Sequence, residues 1–457
     1  MKKLFDKNEV TRAKARGFSN AILSRPRKHS IYLVGICIFI FLFSHIIHVN
    51  LAIPFTLIIL YIGFNQKFSK IKKIKLSNLV LLFLTSFSFG YCLLGNGLSF
   101  YFIPIAIIPM LAVLLFNNIE VAYFLSLSTA LSLASLTAEP FKAWLIFIAA
   151  SISAILLING ARKRTTVIWA GALAGIIQLI TLILLEHFLI NKPDRYLVIL
   201  MSGLVSGIIV LGVLPVFEYI LQRVTNISLL ELADLHHPVL QRMILEAPGT
   251  YHHSLIVGNL ADTACTTIGA NSLLARIGAY YHDIGKLAKP EYFIENQNIK
   301  INMHDALSPT MSKLIIMNHV KEGLELAKKY KLSPILWDFI LQHHGSSLVY
   351  YFYRRAIEDK EEDQEVTEEG FRYPGPKPST KETAIVLLAD SVEAATRTLK
   401  DPTPTKIEET VHKVINNKFI DGQLDDCDLT LKDIEKISSV FIKILCGIYH
   451  SRANYPQ

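Results

Sequence analysis

Cysteine is scarce and scattered in this 457-residue chain: Cys37, Cys92, Cys265, Cys427 and Cys446 form no CxxC pair, and two of them lie inside apolar runs. That spacing excludes a disulfide scaffold and a cysteine-ligated zinc finger. Charge is missing from the middle of every long apolar run, with Glu120, Glu139, Glu186 and Glu218 all falling toward run ends. Because intramembrane charge marks ion and proton pathways, its absence argues against a pump or a charge-moving transporter. No small-residue cleavage site follows the first apolar run, and the basic stretch before it is long, which excludes a cleavable signal peptide. Beyond residue 221 no alternating pattern marks a strand.

What the chain has in abundance is apolar sequence. At 51% hydrophobic residues and a mean hydropathy of +0.38, it is too apolar for a soluble globule or a disordered chain. Uncharged runs at about 31–49, 51–65, 76–94, 100–116, 121–138, 143–158, 166–188 and 196–221 each approach the ~20 residues needed to cross a bilayer. Reading 31–65 as one bent span or hairpin lowers the total from eight to seven. Lysine and arginine placement favours eight: seventeen precede the first run or lie at 67–75 and 162–164, against three in the alternate connections (Lys142, Lys192, Arg195). That asymmetry puts both termini in the cytoplasm. It also accounts for the net charge of +8, so no DNA or RNA polymer is expected as a partner. The expected organisation is a basic segment 1–30, a transmembrane domain 31–221, connecting helices 222–248 and an all-helical cytosolic domain 249–457.

In the cytosolic part, apolar residues recur at helical spacing over about 227–247, 249–268, 271–284, 309–331, 334–344, 380–399, 404–418 and 430–450. The fold class is therefore all-α: a polytopic helical membrane domain followed by an all-helical cytosolic domain. An acidic stretch, Glu358 to Glu369, reads as a solvated loop and is followed by the rigid segment Phe371-Arg372-Tyr373-Pro374-Gly375-Pro376-Lys377-Pro378.

Several histidines on these helices point inward. His253 shares a face with Val257, Leu260 and Ala264, whereas His252 lines up with the more polar Ile256, Asn259 and Thr263. His319 follows Ile315 and Ile316 in a helix that Ser308-Pro309 starts, His343-His344 closes a helix ended by Gly345, and Asp390 interrupts an apolar face of Val386, Leu387 and Ala394. His236 and His237 read as linker residues. Burying such groups unpaired costs several kcal/mol each, so they need partners. Imidazole and carboxylate without thiolate suit divalent transition metals. Five histidines with two aspartates, Asp283 and Asp390, exceed one ion's ligand count, so two ions fit better. A hydroxide held between ions ~3.5–4 Å apart is the usual nucleophile toward phosphorus in such sites.

The run His282-Asp283-Ile284-Gly285-Lys286 resembles the signature of the HD-domain metal-dependent phosphohydrolases. Three further stretches, Leu245 to Ser254, Phe371 to Pro378 and Leu388 to Ala394, together with Gly278-Ala279-Tyr280-Tyr281 ahead of the His-Asp pair, are similar to its PgpH-like branch, the seven-transmembrane receptor HD family. The similarity covers essentially all of 227–457 in motif order, and the membrane region in kind only. It implies a membrane-anchored phosphodiesterase hydrolysing cyclic di-AMP to linear pApA by a bimetal-activated hydroxide, within the HD-domain phosphohydrolase fold. It further implies that His253, His282, Asp283 and Asp390 hold one metal, that Asp283, His319, His343 and His344 hold the other, and that both are manganese or iron.

His282, Asp283 and Lys286 are the candidate catalytic residues. Lys286, Arg397, Tyr373 and Lys377 are candidate substrate contacts, the two first-named as phosphate-gripping cations and the other two as a cover over the site. The expected partners are the dinucleotide and the lipid bilayer of the cell membrane; a homo-oligomer is compatible with the sequence. One departure concerns regulation: family members usually carry a large extracellular domain after the first span, and only about His48 to Leu51 separates the first two runs here. The rival readings are the same site acting on another cyclic dinucleotide or nucleotide, and a membrane sensor that binds a dinucleotide without cutting it.

Overall fold

The computed structural model describes residues 76–187, 193–297, 302–359 and 365–449. The basic segment 1–30, the runs 31–49 and 51–65 and the residues between them lie outside the described residues. The chain divides into two compact units, Met1–Leu221 and Gln222–Gln457. Among the described residues no strand occurs, and an isolated bridge joins Leu348 to Arg372.

The first unit contains α1 (Leu76–Gly95), α2 (Ile107–Phe116), α3 (Ile119–Ala134), α4 (Pro140–Ile158), α5 (Arg164–Leu185) and α6 (Pro193–Leu221). Four of them, α1, α4, α5 and α6, are long and apolar enough to cross a bilayer, as a multi-pass membrane protein requires. The expected runs 100–116 and 121–138 give shorter helices of 10 and 16 residues, about 15 and 24 Å long. The local chemistry explains the interruption. Asn117 ends α2 in the left-handed conformation at φ 47°, and the Asn118 side chain caps α3 by accepting from the Val121 amide. All ten residues of α2 are buried, so this helix is wrapped by protein on every side.

Helices α5 and α6 meet through paired small residues. A Cβ added at Gly203 would sit 2.3 Å from the Gly175 backbone nitrogen, and one at Gly175 would sit 2.3 Å from the Leu200 carbonyl oxygen. Such contacts let two backbones approach closely where lipid supplies no hydrophobic drive between helices. Gly203→Val is expected to force α5 and α6 apart and to cost about 1–3 kcal/mol or more. A thermal melt in detergent checks this, read against the same substitution at Gly212, where an added Cβ meets nothing.

The second unit is built from α7 (Asn226–Leu232), α8 (Pro238–Glu246), α9 (Pro248–Ile268), α10 (Ser272–Tyr281), α11 (Pro309–Lys329), α12 (Pro334–Gln342), α13 (Tyr350–Glu358), α14 (Lys381–Arg397), α15 (Pro404–Ile420) and α16 (Leu431–Ile448). Helix α14 runs through the middle, with 384–389 and Val392 buried against α9, α10, α12 and α15. Three sequence expectations are corrected. The helix at 227–247 is two, because Pro238 opens α8 and lacks the amide that a continuous helix would use there. The helix at 271–284 ends at Tyr281, and a 3-10 turn, Ile284–Ala288, follows. Helix α13 falls where no helix was expected.

That 3-10 turn places the centre of the unit. Gly285 lies so close beneath α11 that an added Cβ would clash with the His319 carbonyl oxygen and sit 2.5 Å from the Gly323 nitrogen. The glycine of the His-Asp-Ile-Gly-Lys run is thus the residue that lets Asp283 and His319 approach each other. Gly285→Ala is expected to displace the turn and weaken metal binding while leaving the helical content intact, which circular dichroism and a metal titration measured together would check.

Candidate metal centre

Seven side chains from α9, α10 and the turn after it, α11, α12 and its end, and α14 converge in two groups. His253, His282, Asp283 and Asp390 form one; Asp283, His319, His343 and His344 form the other, and within each group the candidate ligand atoms lie within 4.8 Å of one another. Asp283 belongs to both. Its Oδ2 lies 3.2 Å from His282 Nε2 and 3.7 Å from His253 Nε2, while its Oδ1 lies 3.3 Å from His319 Nε2 and 3.5 Å from His343 Nε2. Asp390 turns Oδ1 to His253 Nε2 at 3.0 Å and Oδ2 to His344 Nδ1 at 3.5 Å.

The backs of the imidazoles are fixed. His282 Nδ1 donates to the Ala279 carbonyl at 2.7 Å, His319 Nδ1 to that of Ile316 at 2.5 Å, and His343 Nδ1 to that of Ile340 at 2.9 Å. In the neutral form of each ring this bond leaves the lone pair on Nε2, the nitrogen turned to the centre. Two consequences favour a cation there. His319 and His343 aim their Nε2 lone pairs at each other across 3.1 Å, and His282 Nε2 and Asp283 Oδ1 are buried with no hydrogen-bond partner. Buried lone pairs facing one another are unfavourable without a positive charge between them. The donor set of neutral nitrogen and carboxylate oxygen fits divalent transition metals.

Electrostatics act in the same sense. Burial pushes His319 down to about 4 and holds His344 well below the usual imidazole range, keeping both neutral. Burial raises the Asp283 carboxyl, but the adjoining His282 ring and the Lys286 ammonium outweigh it and hold the group well below the usual range. Burial likewise opposes ionisation of Asp390, and the bond to His253 overcomes it. For His253, burial lowers the pKa and the flanking carboxylates of Asp390 and Glu393 raise it to about 9.

A cavity of about 560 Å³ opens over the centre. Lys286, Arg397 and Tyr373 line it, and the Tyr373 ring packs on His344 with centroids 4.3 Å apart. Tyr373 is held there because its amide donates to the Ser347 carbonyl and Arg372 grips Asp421 through two nitrogens. The Lys286 ammonium sits 2.7 Å from both Asp283 Oδ2 and Glu295 Oε1, in a 3-10 turn rather than along a helix from Asp283. Lys377 pairs with Asp425 at 3.4 Å and is not among the residues lining the cavity. His236 is exposed, and His237 opens α8 with its ring edge on Tyr281. Sequence reasoning missed Glu393, Glu295, His304 and the aromatic wall of Tyr292, Phe293 and Phe352. Glu393 had a signal, since it lies three residues after Asp390 and four before Arg397 on one helical face; the others sit on short turns or on the unforeseen α13.

Two family models match the chain. A family described as 7TM receptor with intracellular HD hydrolase matches residues 51–225, and the HD domain family matches residues 250–395. The apolar part of the chain is thus similar to the first family and its histidine-bearing part to the second. Proteins to which it is similar include the cyclic-di-AMP phosphodiesterase PgpH of Bacillus subtilis (strain 168), 42% identical over 68% of this chain and 44% of the relative. The protein of the same name from Listeria monocytogenes serotype 1/2a (strain 10403S) is 39% identical over 79% of this chain and 51% of the relative. The chain thus spans about half the length of the curated relatives it matches. The crystal structure of the L. monocytogenes PgpH HD domain in complex with cyclic-di-AMP is 47% identical, covers 47% of this chain and all of that one, and gives a TM-score of 0.46. The HD match contains all seven converging side chains.

Proposed function

We propose that this chain is a membrane-anchored, metal-dependent phosphodiesterase that hydrolyses cyclic di-AMP to linear pApA. The observation that carries the reading is Asp283, whose two carboxylate oxygens face two separate sets of imidazoles. His253, His282, Asp283 and Asp390 would hold one cation, and Asp283, His319, His343 and His344 the other. Nitrogen and oxygen donors support manganese or iron. When bound, such a pair supplies Lewis-acid charge to phosphoryl oxygens and lowers the pKa of water.

The chain's own residues do the rest. Hydrolysis breaks a P–O3′ bond and joins water's oxygen to phosphorus, leaving a 5′-phosphate and a free 3′-hydroxyl. Lys286 and Arg397 supply the cations lining the cavity, suited to the non-bridging phosphate oxygens. Tyr373, packed on His344, excludes water from one wall and offers a face for a base. Lys377 would act only at the rim, through the segment that carries Tyr373. The seventeen-to-three excess of basic residues supports a cytoplasmic catalytic unit with both termini on that side.

The test is hydrolysis of cyclic di-AMP by the full chain in detergent with Mn²⁺ or Fe²⁺, with product identification and cyclic di-GMP in competition. Conversion to pApA is expected. No turnover by folded, metal-loaded protein contradicts the proposal, and a clear preference for guanine reassigns the substrate.

A further inference from the structure

Of the imidazoles whose Nδ1 points away from the centre, His253 differs in the kind of group behind it. His282, His319 and His343 each donate Nδ1–H to a backbone carbonyl of their own helix, so their orientation follows from helix geometry alone. His253 Nδ1 instead lies 2.5 Å from Oε2 of Glu393, a side chain 140 residues away on another helix. Glu393 is 2% exposed, and burying an ionised carboxylate is costly unless it is paired and hydrogen-bonded. Its second oxygen, Oε1, lies 3.9 Å from Nη1 of Arg397, a cation lining the cavity. Asp390, Glu393 and Arg397 succeed one another at spacings of three and four on α14, and so share one face of that helix.

We propose that Glu393 is a positioning residue that serves the cation group and the cavity at once. By accepting from His253 Nδ1–H it fixes a proton on Nδ1, turns Nε2 toward Asp390 and Asp283, and adds negative charge behind the ring. Through Oε1 it holds the Arg397 guanidinium on the side of α14 that borders the cavity. The inference rests on reading the seven side chains as metal ligands, and is independent of which phosphoester is cut.

Glu393→Gln keeps the size of the side chain and removes its charge. In a Mn²⁺ titration of the full-length protein in detergent, Glu393→Gln is expected to weaken one of two sites about 10–100-fold and leave the other unchanged. The exposed Glu409→Gln serves as the charge-matched control and is expected to change neither. Loss of both sites together, with an altered melt, would mark a merely structural role and overturn the proposal; so would unchanged affinity at both. A second measurement needs no variant of Glu393. In the metal-free wild-type protein labelled with ¹⁵N-histidine, the His253 resonances, assigned by their loss in His253→Asn, are expected to show Nδ1 protonated, with or without a second proton on Nε2 toward Asp390, and a proton on Nε2 alone would contradict the assignment. Because neither readout uses a dinucleotide, failure to hydrolyse cyclic di-AMP and failure of this proposal are distinguishable.

Discussion

Asp283→Ala is expected to strip both cations and to lower kcat/KM by more than about 10³-fold. Among the converging side chains it alone sits in both groups, with Oδ2 turned to His282 and His253 and Oδ1 to His319 and His343. Its removal leaves one group with Asp390 as sole carboxylate and the other with imidazoles alone. It also takes from Lys286 one of its two carboxylate partners, leaving Glu295. His319→Ala, by contrast, removes a ligand from one group and should spare the other cation. Metal content per chain and turnover, measured on the same full-length samples, separate the two variants. An Asp283→Ala protein that keeps both metals is incompatible with the shared-carboxylate geometry.

Chelation is expected to destabilise the protein as well as silence it. Without cations, the facing lone pairs of His319 and His343 and the unpartnered atoms of His282 and Asp283 stay buried in the folded state. A ligand that binds the folded chain and not the unfolded one stabilises by RT ln(1 + [L]/Kd), about 2.7 kcal/mol at a hundredfold excess over Kd. For a unit of this size that corresponds to a rise in Tm of about 5–10 °C on adding Mn²⁺. Differential scanning calorimetry with and without Mn²⁺ measures the shift, and Asp283→Ala should abolish most of it. Coincident melts for apo and Mn²⁺-treated wild type contradict the account.

Much of this centre was legible in the sequence because its residues interrupt apolar helical faces. His253 is buried and His252 exposed, as the neighbours on each face required. His319 and Asp390 could be placed inward by the same reasoning. What escaped the pattern did so for local reasons. The break between α7 and α8 turns on Pro238, and helix α13 carries Tyr350, Tyr351 and Arg354 on exposed positions, which masks its short buried face of Phe352 and Ala356. In the membrane unit, hydropathy finds apolar length but not the stop that Asn117 and Asn118 impose after α2. Glu393 and Glu295 act through tertiary partners, and periodicity along a single segment carries no information about a partner on another.

The account as a whole depends on seven side chains holding two divalent cations through one shared carboxylate. Electron paramagnetic resonance of the full-length protein titrated with Mn²⁺, alongside metal quantification, tests that most directly. Two ions per chain with the spectrum of a magnetically coupled pair are expected, collapsing in Asp283→Ala. One ion per chain, or two ions giving independent mononuclear signals, would contradict it.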